Sequence, residues 1–450
     1  MAVSDQQVLE LNPWWREATA IDRDPTVRAF ESRTLRWDPP VLGSIELGPR
    51  RVHTLRGPRQ VGKSTTAKRL IRKLLESGER RILYFPFDLS REKADIAEAV
   101  RRARQLHPDP GGPWFLFLDE ITTIPDWQLG VKFIVDNGPA EDDFILCTGS
   151  AARKVGSERL PGRRGAGRHY VQLPVSFRDF CRQAVRLDIP DEVLRPEDAF
   201  TASGMTLLRR LNLAYAELER AWRAYRETGG FPAALEDYLT EGPVQDRTIE
   251  MLWDIIAGDV RDLGRDAVAT LKLLERVTRS LGAPLSWHSL AQDMGVTQPT
   301  ARDYVRVLAE SFMLIVVFAW DAGGKGLSAQ RQRKVYFIDP LVARVPQLLV
   351  PGGSRPAEDA AREALVATAL FRSATDRLLQ AEPLTGALGF WKSGRGTEVD
   401  FVVAERRAGT STRRLPIEVK GDNAPSIANA RRSLRAAFGR GIVVTASVFE

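Results

Sequence analysis

Gly57-Pro58-Arg59-Gln60-Val61-Gly62-Lys63-Ser64-Thr65 fits the spacing G-x-x-x-x-G-K-[ST]. Such a loop turns at its glycines and aims successive backbone N–H groups at phosphate oxygens. A helix leaving the loop adds the positive end of its dipole. In that setting Lys63 reaches the β- and γ-phosphates of a nucleotide, and the Ser64 hydroxyl takes Mg²⁺. Phe115-Leu116-Phe117-Leu118-Asp119-Glu120 then ends an apolar run in two carboxylates. Asp119 is expected to hold the Mg²⁺ shell, and Glu120 to orient and deprotonate an attacking water. Asp-Glu at this point favours ATP over GTP, because a GTPase more often carries Asp-x-x-Gly. The expected cofactors are therefore ATP and Mg²⁺. Thr148 and Ser150 close the next apolar run and are candidates for contact with the γ-phosphate or the lytic water. Past them, Arg159, Arg163 and Arg164 lie in a Gly- and Pro-containing loop. An arginine held there would reach a neighbouring subunit's γ-phosphate in trans; a solvated basic loop is the alternative.

Two further groups carry chemistry. Ser286–Thr297 reads as a helix stopped by Gly295, then a turn, with Thr297 capping a second helix and Pro299 in its first turn. Ala301, Tyr304, Val305 and Leu308 recur at helical spacing and should face inward, leaving Gln298, Thr300, Arg302 and Arg306 outside. A helix–turn–helix presents such residues to DNA base edges; a module used only for internal packing is the alternative. Near the C-terminal end, Glu418 and Lys420 are two apart on one strand and share a face, and Asp400 heads a strand alongside. A converging Asp and Glu bind a divalent metal, while a lysine positions or activates water. Glu363, on a preceding helix, would complete the set. A fold retained without cleavage is the alternative.

These residues need a scaffold. Val52–Arg56, Arg81–Leu89, Trp114–Glu120 and Phe144–Ser150 read as strands, separated by helices near Ser64–Gly78, Glu92–Gln105 and Trp127–Asn137. Near-continuous apolar strands alternating with helices predict a parallel sheet covered on both faces. A basic, Gly-rich stretch (Arg153–His169) follows, then a helical region to about Leu281. Met313–Trp320 and Lys334–Asp339 are expected as the wing strands of the helix–turn–helix. Pro351–Pro356 gives the clearest linker signal.

At 450 residues the chain is long enough for about three domains. Its 43% apolar and 27% charged residues exclude wholesale disorder. Two cysteines exclude a disulfide scaffold, and four scattered histidines argue against a zinc enzyme; this usage fits a reducing cytoplasm. The N-terminal sequence lacks the pattern of a secretory leader. No apolar run approaches the ~18 residues of a spanning helix, so no membrane partner is expected. A net charge of +7, from 65 Lys and Arg against 58 Asp and Glu, suits a polyanion, but the excess is too small to decide.

RGPRQVGKST, FLFLDE, the TGS ending at Thr148–Ser150, the Arg-rich loop Glu158–Gly165 and LPVSFRDF (Leu173–Phe180) together resemble the prokaryotic AAA ATPases related to the origin-recognition and STAND branches. Gly229-Gly230-Phe231-Pro232 is similar to that branch's G-x-P element, which implies a nucleotide-sensing place for Pro232 in a helical lid. The NPWW segment (Asn12–Trp15) and Trp127…Lys132…Asp136 are similar to one such subfamily. The resemblance covers most of residues 10–280. The family's small-Gly-Arg element usually occurs once, but Gly162-Arg163-Arg164 and Gly167-Arg168 both occur here, which leaves the finger's identity open. Residues of about 356–450 resemble the PD-(D/E)XK nuclease-like domain that follows AAA modules in many prokaryotic ATPases.

The fold class implied is α/β: a P-loop AAA parallel sheet with a helical lid, a winged helix and a C-terminal α/β restriction-endonuclease-like domain. The boundaries are 1–50 for an N-terminal arm, 51–180 for the ATPase core, 181–280 for the lid, 281–350 for the winged helix and 356–450 for the nuclease-like domain. The function implied is that of an ATP-hydrolysing AAA protein that binds and remodels DNA, branched or single-stranded, as a homo-oligomeric ring in the cytoplasm. The alternatives are an ATP-dependent signalling switch that binds a protein partner and an ATP-gated, metal-dependent nuclease in defence.

Overall fold

The computed structural model describes residues 3–109, 111–138, 140–150, 167–261, 264–320, 327–378, 388–393, 397–405, 413–421 and 423–445. The chain divides into two units, Met1–Leu173 and Pro174–Glu450.

In the first unit, apolar runs become strands where helices cover both sides. The strands are β1 (Arg51–Gly57), β2 (Ile82–Pro86), β3 (Phe115–Asp119), β4 (Phe144–Ser150) and β5 (His169–Val171). The helices are α1 (Asp5–Leu11), α2 (Pro25–Glu31), α3 (Pro40–Ser44), α4 (Lys63–Glu76), α5 (Ala94–Leu106) and α6 (Trp127–Asp136). The strand order is β2-β3-β4-β1-β5, with every neighbouring pair parallel. The period of two splits the core into two layers. Leu116 and Leu118 pack with Ile96, Val100 and Ile134, while Phe117, between them in sequence, packs with Leu70, Ile71 and Leu74.

Two features lie outside the sequence expectation. The strand β5 falls at the end of the stretch read as a basic loop. It pairs with β1 through Thr54↔His169, and Thr54 Oγ1 lies 2.7 Å from His169 Nδ1. The N-terminal segment, expected only as an arm, guards the edge strand β2. Asn12 accepts from Tyr84 N–H (2.7 Å) and donates to Tyr84 O (3.1 Å), and the Trp14 and Trp15 indoles both donate to Ile82 O (3.3 and 2.7 Å). An unpaired edge invites pairing with another chain, and here Asn-Pro-Trp-Trp satisfies it.

The second unit contains helices α7 (Phe177–Asp179), α8 (Ala202–Leu213), α9 (Tyr215–Thr228), α10 (Pro232–Thr240), α11 (Asp246–Arg261), α12 (Ala267–Arg279), α13 (Trp287–Met294), α14 (Gln298–Glu310), α15 (Arg344–Leu349), α16 (Glu358–Leu378) and α17 (Ala424–Phe438). Its strands are β6 (Leu314–Trp320), β7 (Leu327–Phe337), β8 (Leu388–Lys392), β9 (Glu398–Glu405), β10 (Arg413–Lys420) and β11 (Ile442–Thr445). They form one mixed sheet, β11-β10-β9-β8-β6-β7.

The α13–α14 pair forms as its sequence dictates: Ser286 and Thr297 cap the two helices, Gly295 ends the first in a left-handed turn, and Ala301, Tyr304, Val305 and Leu308 are buried. The two strands expected as a separate wing do pair antiparallel, but β6 also pairs in parallel with β8 (Phe318↔Gly389, Ala319↔Phe390). The sheet therefore runs across the Pro351–Pro356 segment instead of ending there. The cause is the apolar edge of β6, which β8 covers. Among the described residues, no helix is long and apolar enough to cross a membrane.

Candidate functional site

The strand β1 ends at Gly57 and α4 begins at Lys63, so the loop between them lies at the C-terminal edge of the sheet and opens a helix. Gly57 is obligatory: a Cβ there would sit 1.9 Å from Gln172 O. Gln172 is a residue that sequence reasoning missed. Its N–H donates to Arg56 O (2.8 Å), its side-chain amide donates to Val61 O (2.6 Å), and it accepts from Thr66 Oγ1 (2.8 Å). One buried amide thus pins the loop and the first turn of α4. The Lys63 ammonium donates to Pro58 O (2.8 Å) and Gly57 O (3.1 Å), 3.9 Å from Glu120 Oε1.

Asp119 ends β3, where the register places β4 between it and β1. Tyr84 OH donates to Asp119 Oδ2 (2.6 Å), and the Thr148 hydroxyl donates to Asp119 Oδ1. The Thr148 oxygen also accepts from Glu120 N–H (3.1 Å). One hydroxyl therefore links both acidic residues, and Lys63 faces the second. Glu120 has φ 47°, a left-handed conformation that is costly for a non-glycine residue and is found at functional sites. The expected grouping of Lys63, Asp119, Glu120 and Thr148 is thus present in space. Ser150 pairs its backbone with Gly57; its side chain lies outside the described residues, as do Arg159, Arg163 and Arg164.

Three side chains bear on this site without a sequence signal: Tyr84, Lys68 and Asp88. Burial and the Asp119 charge raise the Tyr84 pKa, so the phenol stays a donor. Lys68 stands 3.5 Å over the Tyr84 ring and 3.0 Å from Asp24 Oδ2. Asp88 has its pKa raised by burial and then by the charges of Glu120 and Asp119. The donor set fits MgATP. An ammonium and a helix N-terminus suit phosphates, and a hydroxyl (Ser64) with a carboxylate (Asp119) suits a hard cation.

In the second unit, Pro232 opens α10. Just before it, Gly229 has φ 69°, and a Cβ there would meet Asp339 Oδ1 at 2.1 Å. Asp339 accepts from Gly230 N–H (2.8 Å) and Leu341 N–H (3.0 Å), and burial pushes its pKa up to about 6. On α14, Gln298, Arg302 and Arg306 are exposed and Thr300 is half-buried. Arg302 stacks over Trp287 at 5.5 Å, while Arg306 is engaged by Asp303 (3.4 Å) and Glu310 (3.2 Å) on its own helix.

Asp400, Glu418 and Lys420 do come together. Asp400 N–H donates to Glu418 Oε2 (3.1 Å), Val419 N–H donates to Asp400 Oδ2 (2.9 Å), and Lys420 Nζ lies 2.6 Å from Glu418 Oε1. Glu363 joins them from α16. Sequence reasoning missed Lys334, Tyr336 and Glu398. Lys334 lies 2.9 Å from Asp400 Oδ1, 2.9 Å from Glu398 Oε1 and 3.1 Å from Glu363 Oε1, and Tyr336 OH donates to Glu363 Oε1 (2.5 Å). The available signal was a lysine and a tyrosine two apart in an apolar strand, hence on one face. Burial, then the Asp400 charge, raises the Glu363 pKa to about 7. Among the described residues, no group of three or more His, Cys, Asp or Glu is arranged to hold a metal ion.

Among solved structures, the chain is similar to the Thermotoga maritima RuvB Holliday junction branch migration motor, with 16% identity, 59% of this chain and 81% of that chain covered, and a TM-score of 0.26. It is also similar to Aeropyrum pernix ORC1 in complex with DNA (16% identity, 79% and 96% covered, TM-score 0.27). A third is Cdc6p from Pyrobaculum aerophilum (12% identity, 81% and 93% covered, TM-score 0.25). No curated protein matches the chain. Residues 219–345 match a family described as a domain of unknown function (DUF8612). Residues 49–181, which contain the phosphate loop, Asp119, Glu120 and Thr148, match the AAA domain family.

Proposed function

We propose that this chain is an AAA ATPase that hydrolyses ATP with Mg²⁺ and couples that cycle to binding and remodelling DNA. The observation that carries the ATPase reading is the Thr148 hydroxyl linking Asp119 to Glu120, with Lys63 3.9 Å from Glu120. ATP phosphates draw the Lys63 ammonium from the carbonyls of Gly57 and Pro58. Ser64 and Asp119 would hold Mg²⁺, which would supply charge neutralisation at the phosphates. Tyr84 and Thr148 hold Asp119 in place, and Glu120 takes the proton of the attacking water.

The DNA reading rests on the outer face of α14, with Gln298, Thr300, Arg302 and Arg306, and on the net charge of +7. An oligomer, with Arg159, Arg163 or Arg164 acting in trans, completes the proposal. So do a lid over 181–280 that senses nucleotide near Pro232, a winged helix over 281–350, and a cytoplasmic location consistent with two buried free cysteines. The second reading, a switch that binds a protein partner, is favoured by one observation: Arg306 already has Asp303 and Glu310 as partners.

Lys63→Ala should weaken binding of a fluorescent ATP analogue. Glu120→Gln should retain binding while hydrolysis falls ~10²–10⁴-fold. Equal loss of binding in both variants would refute the split of roles. Salt-dependent DNA binding that weakens in Arg302→Ala separates the DNA reading from the switch, for which no such binding is expected.

A further inference from the structure

The carboxylates Asp400 and Glu418 have the residue types of a divalent-metal site, but lysine ammoniums already stand against both. Asp400 Oδ1 lies 2.9 Å from Lys334 Nζ, and Oδ2 accepts from Val419 N–H at 2.9 Å. Glu418 Oε1 lies 2.6 Å from Lys420 Nζ, and Oε2 accepts from Asp400 N–H at 3.1 Å. Metal–oxygen bonds are ~2.0–2.6 Å long, so a cation shared by Asp400 and Glu363 would need the volume that the Lys334 ammonium fills. That ammonium is 1% exposed, donates to Glu363 and Asp400, and is ion-paired with Glu398 at 2.9 Å. The residues present do not fit a metal ion.

We propose that Lys334 is the resident cation of this cluster, standing where a divalent metal would, so that the C-terminal part of the second unit does not cleave nucleic acid by a metal-dependent route. The lysine also serves as a bolt. It comes from β7, before the Pro351–Pro356 segment, and its partners come from α16 and β9, after it. A buried ammonium from one side, paired with carboxylates from the other, holds the two stretches in one body, and losing one partner would leave charge buried and uncompensated.

The test is calorimetric titration of the full chain with Mn²⁺, with Asp119→Asn introduced to silence the phosphate-loop metal. That parent chain should show no saturable Mn²⁺ site. Adding Lys334→Met should create one Mn²⁺ site per chain, and further addition of Asp400→Asn should remove it. A saturable site in the parent that disappears with Asp400→Asn or Glu418→Gln would overturn the proposal. So would a folded Lys334→Met chain, checked by circular dichroism, that gains no site. Should Lys334→Met fail to fold, the parent decides alone: absence of a saturable site upholds the proposal, and its presence refutes it. The test does not involve ATP turnover, so its outcome is independent of the ATPase reading.

Discussion

Tyr84 supports the proposed nucleotide site without announcing itself. Its hydroxyl gives Asp119 a 2.6 Å hydrogen bond, and its ring lies under the Lys68 ammonium. A hydrogen bond to a charged group is worth ~1.5–3 kcal/mol. In Tyr84→Phe the ring and its packing stay, but one anchor of Asp119, the carboxylate proposed to hold Mg²⁺, is lost. We expect the Mg²⁺ concentration for half-maximal ATP hydrolysis to rise about tenfold, with nucleotide binding in the absence of Mg²⁺ unchanged. Steady-state rates across a Mg²⁺ titration check this; an unshifted Mg²⁺ requirement would assign Tyr84 to packing alone. Nothing in the sequence around Tyr84 reveals the role, because an aromatic residue in an apolar strand reads as core and its partner lies 35 positions away. Lys63, Asp119 and Glu120 were legible for the opposite reason: their spacing within short segments is itself the chemical signal. Gln172 shares Tyr84's obscurity, since it acquires meaning only from residues distant along the chain; Lys334 left one local trace, its spacing of two from Tyr336.

Between elements, Asp339 acts as a clasp. It follows β7 and accepts N–H groups from Gly230, ahead of α10, and from Leu341. Its pKa rises from 3.8 to about 6, chiefly because burial disfavours the charged form. The unfolded chain therefore loses this proton first as pH rises, and the folded chain keeps it longer. The contribution to stability is largest below about pH 4 and declines as pH rises to about 6. A rise of that size corresponds to at most about 3 kcal/mol. Relative to Asp339→Asn, which cannot titrate here, the natural chain should lose stability across that window. Denaturant titrations at a series of pH values measure the difference, and parallel pH profiles would contradict it. Element by element, β1, β3 and β4 were readable because strands buried on both faces need continuous apolar residues. The three-residue β5 was not, since an edge strand of His-Tyr-Val beside basic residues has no such run. The joining of β6 to β8 was hidden too, because nothing local encodes a parallel pairing across some seventy residues.

At the scale of the whole molecule, the first unit holds the proposed nucleotide site, and the second gathers its strands into one sheet. In the first unit, exposed Leu129 and Phe133, one turn apart on α6, are the kind of apolar surface that an assembly covers. In the second, the sheet that spans Pro351–Pro356 has a consequence for anyone who cuts the gene. A stop codon after residue 350 would strip β8 from β6 and leave Leu314–Trp320 as an open apolar edge, so the shortened product should aggregate, not behave as a trimmed enzyme. Backbone cleavage at the same place, through an inserted protease site, should do little: the two polypeptides should co-elute in gel filtration and part only in denaturant. If the pieces separate in native buffer, the shared sheet is not what holds them. If they stay together, the covalent bond at the apparent domain boundary is dispensable, and the chain can be expressed as two complementing halves.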